Sequence, residues 1–371
     1  MAASHLTRIM RGKGAGWRDT QAPDPRRGSE EPGCQHGGGN LERTCGTYKV
    51  SEESFESLTS LWREAHKTLR WSCLFVLPPW LQAWWTTLRS GGNPYRLSVR
   101  RGNDLVGIAP LLIDGEQARF MGDRDVCDYL DFIVAPGRED EFFRILLEHL
   151  RGAGVALLDL GPVRVDSSVM TRLVPMAREL GYEVTAHPED VSLEMPLPAT
   201  WDAFLLALSG KERHEIRRKL RRLGEVGPVT YRLVEGRNEV EREIETFLIL
   251  FAMNRTDKAV FMTAPMASFF RSLAGAMAAE GIMRLFFLHL DGIAAATVMC
   301  FDYNATVYLY NNAYDDQFRA LSVGLLCKVF SIRDSIERGR RTYDFLKGGE
   351  TYKYRLGGTP VRLYRCGVAL R

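Results

Sequence analysis

The sequence predicts an α/β (α+β) protein built from two tandem copies of one unit, each a mixed, mostly antiparallel sheet flanked by helices. Three observations lead there. The chain has 371 residues, more than one ordinary core needs. The order strand, two helices, three antiparallel strands, helix, strand can be read twice along it. Each copy also carries a hairpin whose polar turn leads into an aliphatic strand: Arg101-Gly102-Asn103-Asp104-Leu105-Val106-Gly107-Ile108-Ala109 and His289-Leu290-Asp291-Gly292-Ile293-Ala294-Ala295-Ala296. The boundary between copies falls near Pro188–Pro198. The predicted domains are 47–190 and 191–371, after a Gly/Arg/Pro-rich extension over 1–46 that has too few large apolar groups to offset its ordering entropy.

In the first copy, Tyr48–Val50 is a short strand, and Ser51 caps a helix carrying Phe55, Leu58, Leu61, Trp62 and Ala65 on one face. A second helix, Pro79–Arg89, opens with proline; its tryptophans sit at core spacing. Strands follow at Tyr95–Arg100, Leu105–Leu112 and Ala118–Met121, then a helix over Glu139–Arg151, a buried strand Val155–Leu160, a helix Ser168–Leu180 and a strand Tyr182–Ala186. The second copy has helices at Trp201–Leu208 and Lys211–Leu223, a strand Val229–Val234, and helices Glu239–Met253 and Met266–Glu280. Strands Met283–Leu290, Ile293–Phe301 and Thr306–Tyr310 come next. A helix running from Ser322 to Arg338 and stopped by Gly339 leads to strand Thr342–Leu346, and a final strand lies near Val361–Leu370.

The chemistry concentrates between Asp291 and Tyr354. Ser322-Val323-Gly324 puts a small residue and a glycine at a helix entrance with Arg319 nearby, an arrangement that offers unpaired backbone N–H groups to an anion. We read it as a pyrophosphate cradle facing the polar loop Lys347-Gly348-Gly349-Glu350-Thr351-Tyr352-Lys353-Tyr354. The equivalent entrance in the first copy, Pro136-Gly137-Arg138-Glu139-Asp140-Glu141, carries three carboxylates that satisfy the helix dipole themselves and repel a phosphate. The second copy is therefore expected to carry the site. The first copy is expected to shape the acceptor groove, with Asp128, Tyr129 and Asp131 facing it.

Several of these segments resemble the GNAT acyltransferases, in particular the CelD/BcsL type, which is similar to the tandem-domain Fem peptidyltransferases. The residues that carry the resemblance are Lys211–Arg218, Tyr308–Asp315, Leu321-Ser322-Val323-Gly324-Leu325-Leu326 and Tyr343-Asp344-Phe345-Leu346-Lys347-Gly348-Gly349-Glu350-Thr351-Tyr352-Lys353, with Asp128-Tyr129-Leu130-Asp131 in the first copy. It covers roughly residues 48–371. The phosphate turn departs from the usual Arg/Gln-x-x-Gly-x-Gly/Ala, with Ser322 in place of the first glycine. The resemblance implies acyl transfer from a thioester, acetyl-CoA or another acyl-CoA, to an amine. It places the pyrophosphate on Ser322, Val323, Gly324 and Leu325, with Gln317 and Arg319 beside it, and the pantetheine arm near Tyr310, Asn311 and Asn312. Such a reaction needs a base, for which Asp344 or Glu350 stands ready, and an acid, Tyr352 or else Tyr310; Lys353 would hold phosphate or a carboxylate.

The expected partner is a small-molecule, amino-sugar or envelope glycan-precursor acceptor. The basic run Lys211–Arg222, including Arg213 and Arg217, is either a solvated helix face or a rim for an anionic acceptor. Under a Fem-like alternative it would receive an aminoacyl-tRNA; otherwise no stable nucleic-acid partner is expected, since the net charge is only +3. A third reading is a non-catalytic scaffold in polysaccharide assembly. No apolar run reaches the roughly 18 residues of a membrane span. Seven cysteines without close spacing predict free thiols in a reducing cytoplasm. Cys34, His36 and Cys45 lack the second pair a zinc site needs, so no metal is expected.

Overall fold

A computed structural model of the chain describes residues 43–45, 47–65, 68–88, 91–254 and 260–371. The extension expected over 1–46 lies outside the described residues, with Cys34 and His36, except for Arg43–Cys45 (β1), which pairs antiparallel with Tyr48–Glu52 (β2). The helix Phe55–Ala65 (α1) begins later than the sequence suggests, because the strand runs on through Glu52. Its first turn is held by Ser54, whose hydroxyl accepts the Ser57 amide at 3.1 Å, and not by Ser51. After Pro78–Leu88 (α2) come Asn93–Arg101 (β3), Asp104–Asp114 (β4), Gln117–Phe120 (β5) and the two-residue Ile133–Val134 (β6). Glu139–Gly152 (α3) then leads to Leu157–Arg164 (β7). The helix expected over 168–180 is instead a π turn, Val169–Leu173, followed by Val174–Glu179 (α4). Pro175, with no N–H to give, sits at that junction.

A single long strand, Glu183–Pro196 (β8), replaces the short one expected at Tyr182–Ala186. The two helices that follow have their caps written in the sequence. Thr200 accepts the Ala203 amide at the start of Trp201–Ala207 (α5), and Ser209 accepts the Glu212 amide at the start of Gly210–Val226 (α6). Val229–Val234 (β9), Arg237–Asn254 (α7) and Ala264–Ala279 (α8) lead into Met283–Leu290 (β10), Ile293–Tyr303 (β11) and Thr306–Tyr314 (β12). Asp291-Gly292 makes the tight turn the sequence indicates, both residues left-handed at φ 49° and 79°. A 3-10 segment of two turns, Asp316–Leu321, precedes Val323–Glu337 (α9), so the late helix starts one residue after Ser322. The last elements are Thr342–Lys347 (β13), the short helix Thr351–Arg355 (α10) where a loop was expected, and Thr359–Ala369 (β14).

All fourteen described strands join one sheet, in the order β1-β2-β3-β4-β5-β7-β14-β8-β13-β12-β11-β10-β9, with β6 beside β4. Only two neighbouring pairs are parallel, β5 with β7 and β12 with β13, and each is bridged by a crossover that includes one helix, α3 or α9. At the centre the late strands are exchanged. β14 returns to lie against β7, while β8, which follows β7 in sequence, pairs with both β14 and β13. Alternation along β12 and β13 divides the core between two faces. Val307, Leu309, Tyr343 and Phe345 pack with α5, α6 and α9, whereas Tyr308 faces the other cluster, which includes Phe75, Trp80 and Trp84. Trp80 and Trp84 are fully buried, the packing role their spacing indicates. Among the described residues no helix is long and apolar enough to cross a membrane.

Candidate active site

Strands β12 and β13 stay together for only three rungs, Thr306↔Thr342, Val307↔Tyr343 and Tyr308↔Asp344. Beyond Tyr308 both strands turn away. β12 bulges at Tyr310, since Leu309 lies opposite Cys300 and the next paired residue, Asn311, opposite Met299. β13 kinks at Leu346, a non-glycine residue at φ 62°, and follows β8. The strands therefore diverge toward their C-terminal ends, and the N-terminus of α9 stands at the mouth of that opening.

Ser322 links the 3-10 segment to α9 in a left-handed conformation, φ 58° and ψ 32°. Its carbonyl accepts the amides of Leu325 and Leu326, while the amides of Val323 and Gly324 have no hydrogen-bond partner among the described residues. A cavity of about 220 Å³ lies against them, lined by Tyr314, Arg319, Ser322, Val323, Gly324, Leu325, Lys328 and Tyr352. Two ammonium groups converge on it. Lys219 of α6 donates to the Ser322 hydroxyl at 2.6 Å and pairs with Glu215 at 3.2 Å. Lys328 is buried, donating to Asn312 Oδ1 at 2.9 Å and to the Gly324 carbonyl at 3.0 Å, under the Tyr352 ring at 4.8 Å. Burial raises the Tyr352 phenol well above its usual range, so it stays protonated. Gly324 is required for packing: a Cβ there would meet the Tyr314 ring at 2.7 Å.

The structure thus gathers Arg319, Ser322, Val323, Gly324, Leu325 and Tyr352, and reaches Asn312 through Lys328. Other expected residues are placed differently. Tyr310 turns to the opposite face, its ring 5.1 Å from Trp80 and its hydroxyl donating to the Val126 carbonyl at 3.0 Å, which makes it a core residue and not the acid. Asn311 resumes the pairing with β11, and Gln317 is tied back to Asp315 through its amide and side chain. Lys353 is 3% exposed and donates to the carbonyls of Leu346, Lys347 and Gly348 at 3.0, 2.6 and 3.0 Å. It secures the chain after the Leu346 kink and is turned away from any phosphate. Glu350 is exposed and pairs with Lys353 at 2.9 Å. Arg213 donates to the Leu206 carbonyl and Arg217 is exposed on α6; neither lines the cavity.

Asp344 lies elsewhere. It lines a second cavity, of about 330 Å³, with Tyr129, Asp131, Arg164, Glu194 and Tyr308 among its neighbours. Asp344, expected as a candidate base, is therefore not beside the cradle: alternation about the third rung puts it on the face opposite α9. Its carboxylate accepts from the Tyr129 hydroxyl at 2.6 Å, the Leu346 amide at 2.7 Å and the Ser192 hydroxyl at 3.2 Å, with Arg164 at 3.8 Å. Loss of solvent dominates these contacts and pushes its pKa up to about 6. Asp131 accepts from the Ser168 amide and hydroxyl, and Asp128 from the Lys347 amide at 3.1 Å; burial raises both carboxyls. Lys328, Arg164 and Glu194 escaped the sequence reading, which held Lys219 only within the basic run Lys211–Arg222 and Tyr308 and Tyr314 only within the segment Tyr308–Asp315. Only Lys328 left a clear signal, as a single charge inside the apolar run Leu325–Phe330.

This sheet, its splayed parallel pair and its crossover helix are those of the GNAT fold, used twice in tandem. Residues 210–354 match the family described as "Acetyltransferase (GNAT) domain", a span that contains the whole α9 cavity. Among solved structures, FemX superimposes with a TM-score of 0.59 at 14% identity, covering 85% of this chain and 96% of FemX. A conserved protein of unknown function from Bacteroides thetaiotaomicron gives 0.56 at 13% identity, covering 86% and 99%. The C-terminal domain of a putative lysylphosphatidylglycerol synthetase from Agrobacterium fabrum gives 0.50 at 12% identity, covering 71% and 81%. No curated protein sequence matches the chain.

Proposed function

We propose that the protein is an acyl-CoA-dependent N-acyltransferase of the CelD/BcsL type, with its donor held at the entrance to α9. The observation that carries this reading is the pair of open amides at Val323 and Gly324, set at the mouth of the splayed strands among Lys219, Arg319 and Lys328. Free N–H groups at a helix N-terminus with cations around them suit a pyrophosphate. A cavity of about 220 Å³ has room for that group and the near end of the pantetheine arm; the nucleotide would lie on the open surface beside Arg319. In the reaction the acceptor nitrogen attacks the thioester carbonyl carbon, the C–N bond forms, and the C–S bond breaks with its electron pair on sulfur. Tyr352, protonated and in the cavity, gives its proton to the thiolate. The proton leaving nitrogen passes to Glu350, the exposed carboxylate next to that phenol.

Calorimetric titration with CoA and acetyl-CoA tests the donor site. Both should bind wild type, and Tyr352→Phe should retain the affinity while losing turnover. Saturable binding unchanged by Ser322→Glu would remove this placement. A second reading, an aminoacyl-tRNA donor, is favoured by Arg217, Arg218, Arg221 and Arg222, all exposed along α6 beside the same entrance. It predicts tRNA binding that falls steeply with salt and no competition from CoA.

A further inference from the structure

The positive charge of this chain is gathered on one helix. α6 carries seven lysines and arginines and three glutamates, a net +4, while the whole chain carries +3, so everything outside α6 nets −1. We propose that the outer face of α6 docks the protein on a membrane surface rich in anionic lipid. Ile216 and Leu223 are buried and fix the inward side of the helix. Helical spacing then puts Lys211, Arg217, Arg218, Arg221 and Arg222 on the outward arc, where all five are exposed. The glutamates do not neutralise that arc. Glu215 is shared by Arg218 at 2.8 Å and Lys219 at 3.2 Å, Glu212 faces Arg355 at 3.7 Å, and Glu225 lies 3.8 Å from Arg221. Lys211, Arg217 and Arg222 have no ion-pair partner among the described residues. Each cation held near an anionic lipid surface strengthens adsorption about fivefold.

A second observation separates a bilayer from other polyanions. Three large apolar side chains stand in water at the two ends of the helix. Leu206 of α5, 68% exposed, is at the N-terminal end, where Arg213 donates to its carbonyl at 3.4 Å. Val226, 52% exposed, is the last residue of α6. Ile293, also 52% exposed, follows the Asp291-Gly292 turn, which is bonded to the Pro228 carbonyl just past the helix. Ile293 pairs with Leu290, whose side chain packs in the same core as Ile216 and Leu223, so it emerges on the α6 side of the sheet. One exposed aliphatic side chain is ordinary on a protein surface. Three that bracket one basic helix make an interfacial surface, with cations at head-group level and aliphatic groups placed to enter the acyl boundary. A phosphodiester backbone would match the arginines and leave the aliphatic groups in water. A second copy of this face would bring like charge against like. Lys219 turns to the Ser322 flank and takes no part, and the inference does not depend on what the donor is.

Co-sedimentation of the full chain with vesicles of phosphatidylcholine alone, and of phosphatidylcholine mixed with phosphatidylglycerol, tests this. The anionic vesicles should bind at least about tenfold more tightly than the neutral ones at low salt, and less so as salt is added. Arg217→Gln with Arg221→Gln should lower that affinity at least about tenfold at an unchanged melting temperature, and lysine at both positions should keep it. Leu206→Ser with Val226→Ser retains every cation, and should still weaken binding to the anionic vesicles at least about threefold. Equal binding to both vesicles, binding to neither, or arginine variants that bind like wild type would each overturn the proposal. So would a serine variant that binds like wild type, because the face would then be a site for any polyanion. Binding of tRNA that is lost with the same two arginines, by a chain that ignores both vesicles, would assign the face to nucleic acid and overturn it too.

Discussion

The two crossover helices do the same topological work and end in opposite electrostatic states. Each joins a parallel pair held by three rungs: Gln117↔Leu157 to Arg119↔Asp159 under α3, and Thr306↔Thr342 to Tyr308↔Asp344 under α9. In α3 the first turn is Glu139, Asp140 and Glu141, and Arg138 clasps Glu141 at 2.8 Å, so the positive end of the helix is met by the protein's own side chains. In α9 the first turn has no acid, two amides are open and lysines close in from α6 and from within the helix. One skeleton therefore supplies a closed structural helix in one half and an anion-ready one in the other. Even the tight packing is mirrored. Gly107 on β4 admits the Phe142 ring of α3, and Gly324 on α9 admits the Tyr314 ring of β12.

The sharpest way to break this contrast is to make the two helix entrances alike. Ser322→Glu should lower CoA affinity at least about 100-fold by setting a carboxylate where a pyrophosphate belongs. Glu139→Gln should leave CoA affinity untouched and cost no more than about 1 kcal/mol of stability by denaturant titration. The third rungs offer the next comparison. Asp159 is paired bidentately with Arg365 at 2.9 and 2.5 Å, whereas Asp344 answers mainly to a phenol, a hydroxyl and an amide. Because the native pKa of Asp344 is raised from 3.8 to about 6, its contribution to stability is full below pH 3.8 and is lost as pH rises through about 6. The gap is worth up to about 3 kcal/mol. Urea titrations should show Asp344→Asn gaining on wild type between pH 5 and pH 8, and Asp159→Asn simply losing its ion pair. The glycines come third. Gly107→Ala brings a Cβ to 2.5 Å from Phe142 and 2.9 Å from the Ile133 carbonyl, and should cost the upper part of about 1–3 kcal/mol. Gly324→Ala meets only the movable Tyr314 ring, should cost the lower part, and should be rescued by Tyr314→Leu.

What was legible in the sequence was local. The Asp291-Gly292 turn, the acid-rich start of α3 and the acid-free start of α9 all depend on residues a few positions apart, and all are in place. What was illegible needs contacts across the chain. Tyr129 meets Asp344 from 215 positions away, and β14 passes over its own half to pair with β7. Nothing in Asp344's neighbours says which face of the sheet its rung will present, because a single bulge or kink reverses the alternation. Lys353 misled for a related reason. Leu346's left-handed kink exposes three successive carbonyls, and the short helix α10 turns the lysine inward to meet them, which a polar, glycine-flanked loop does not announce.

The smallest effect bears most directly on why a serine stands where the resemblance leads one to expect a glycine. Ser322 holds φ 58°, a region that costs an L-residue roughly 1 kcal/mol and glycine almost nothing. If backbone strain were the whole matter, Ser322→Gly would stabilise the protein by about 0.5–1 kcal/mol and change nothing else. The hydroxyl, however, receives Lys219 at 2.6 Å and so anchors α6 to the mouth of the cavity. We expect the two terms nearly to cancel, leaving stability within about 0.5 kcal/mol of wild type while CoA affinity falls severalfold as Lys219 is released. Lys219→Met should reproduce the loss of affinity, and the double variant should add little to either single change, because both remove the same contact. Additive losses would mean that Lys219 reaches the donor without Ser322, and that the serine is tolerated there for no reason connected with binding.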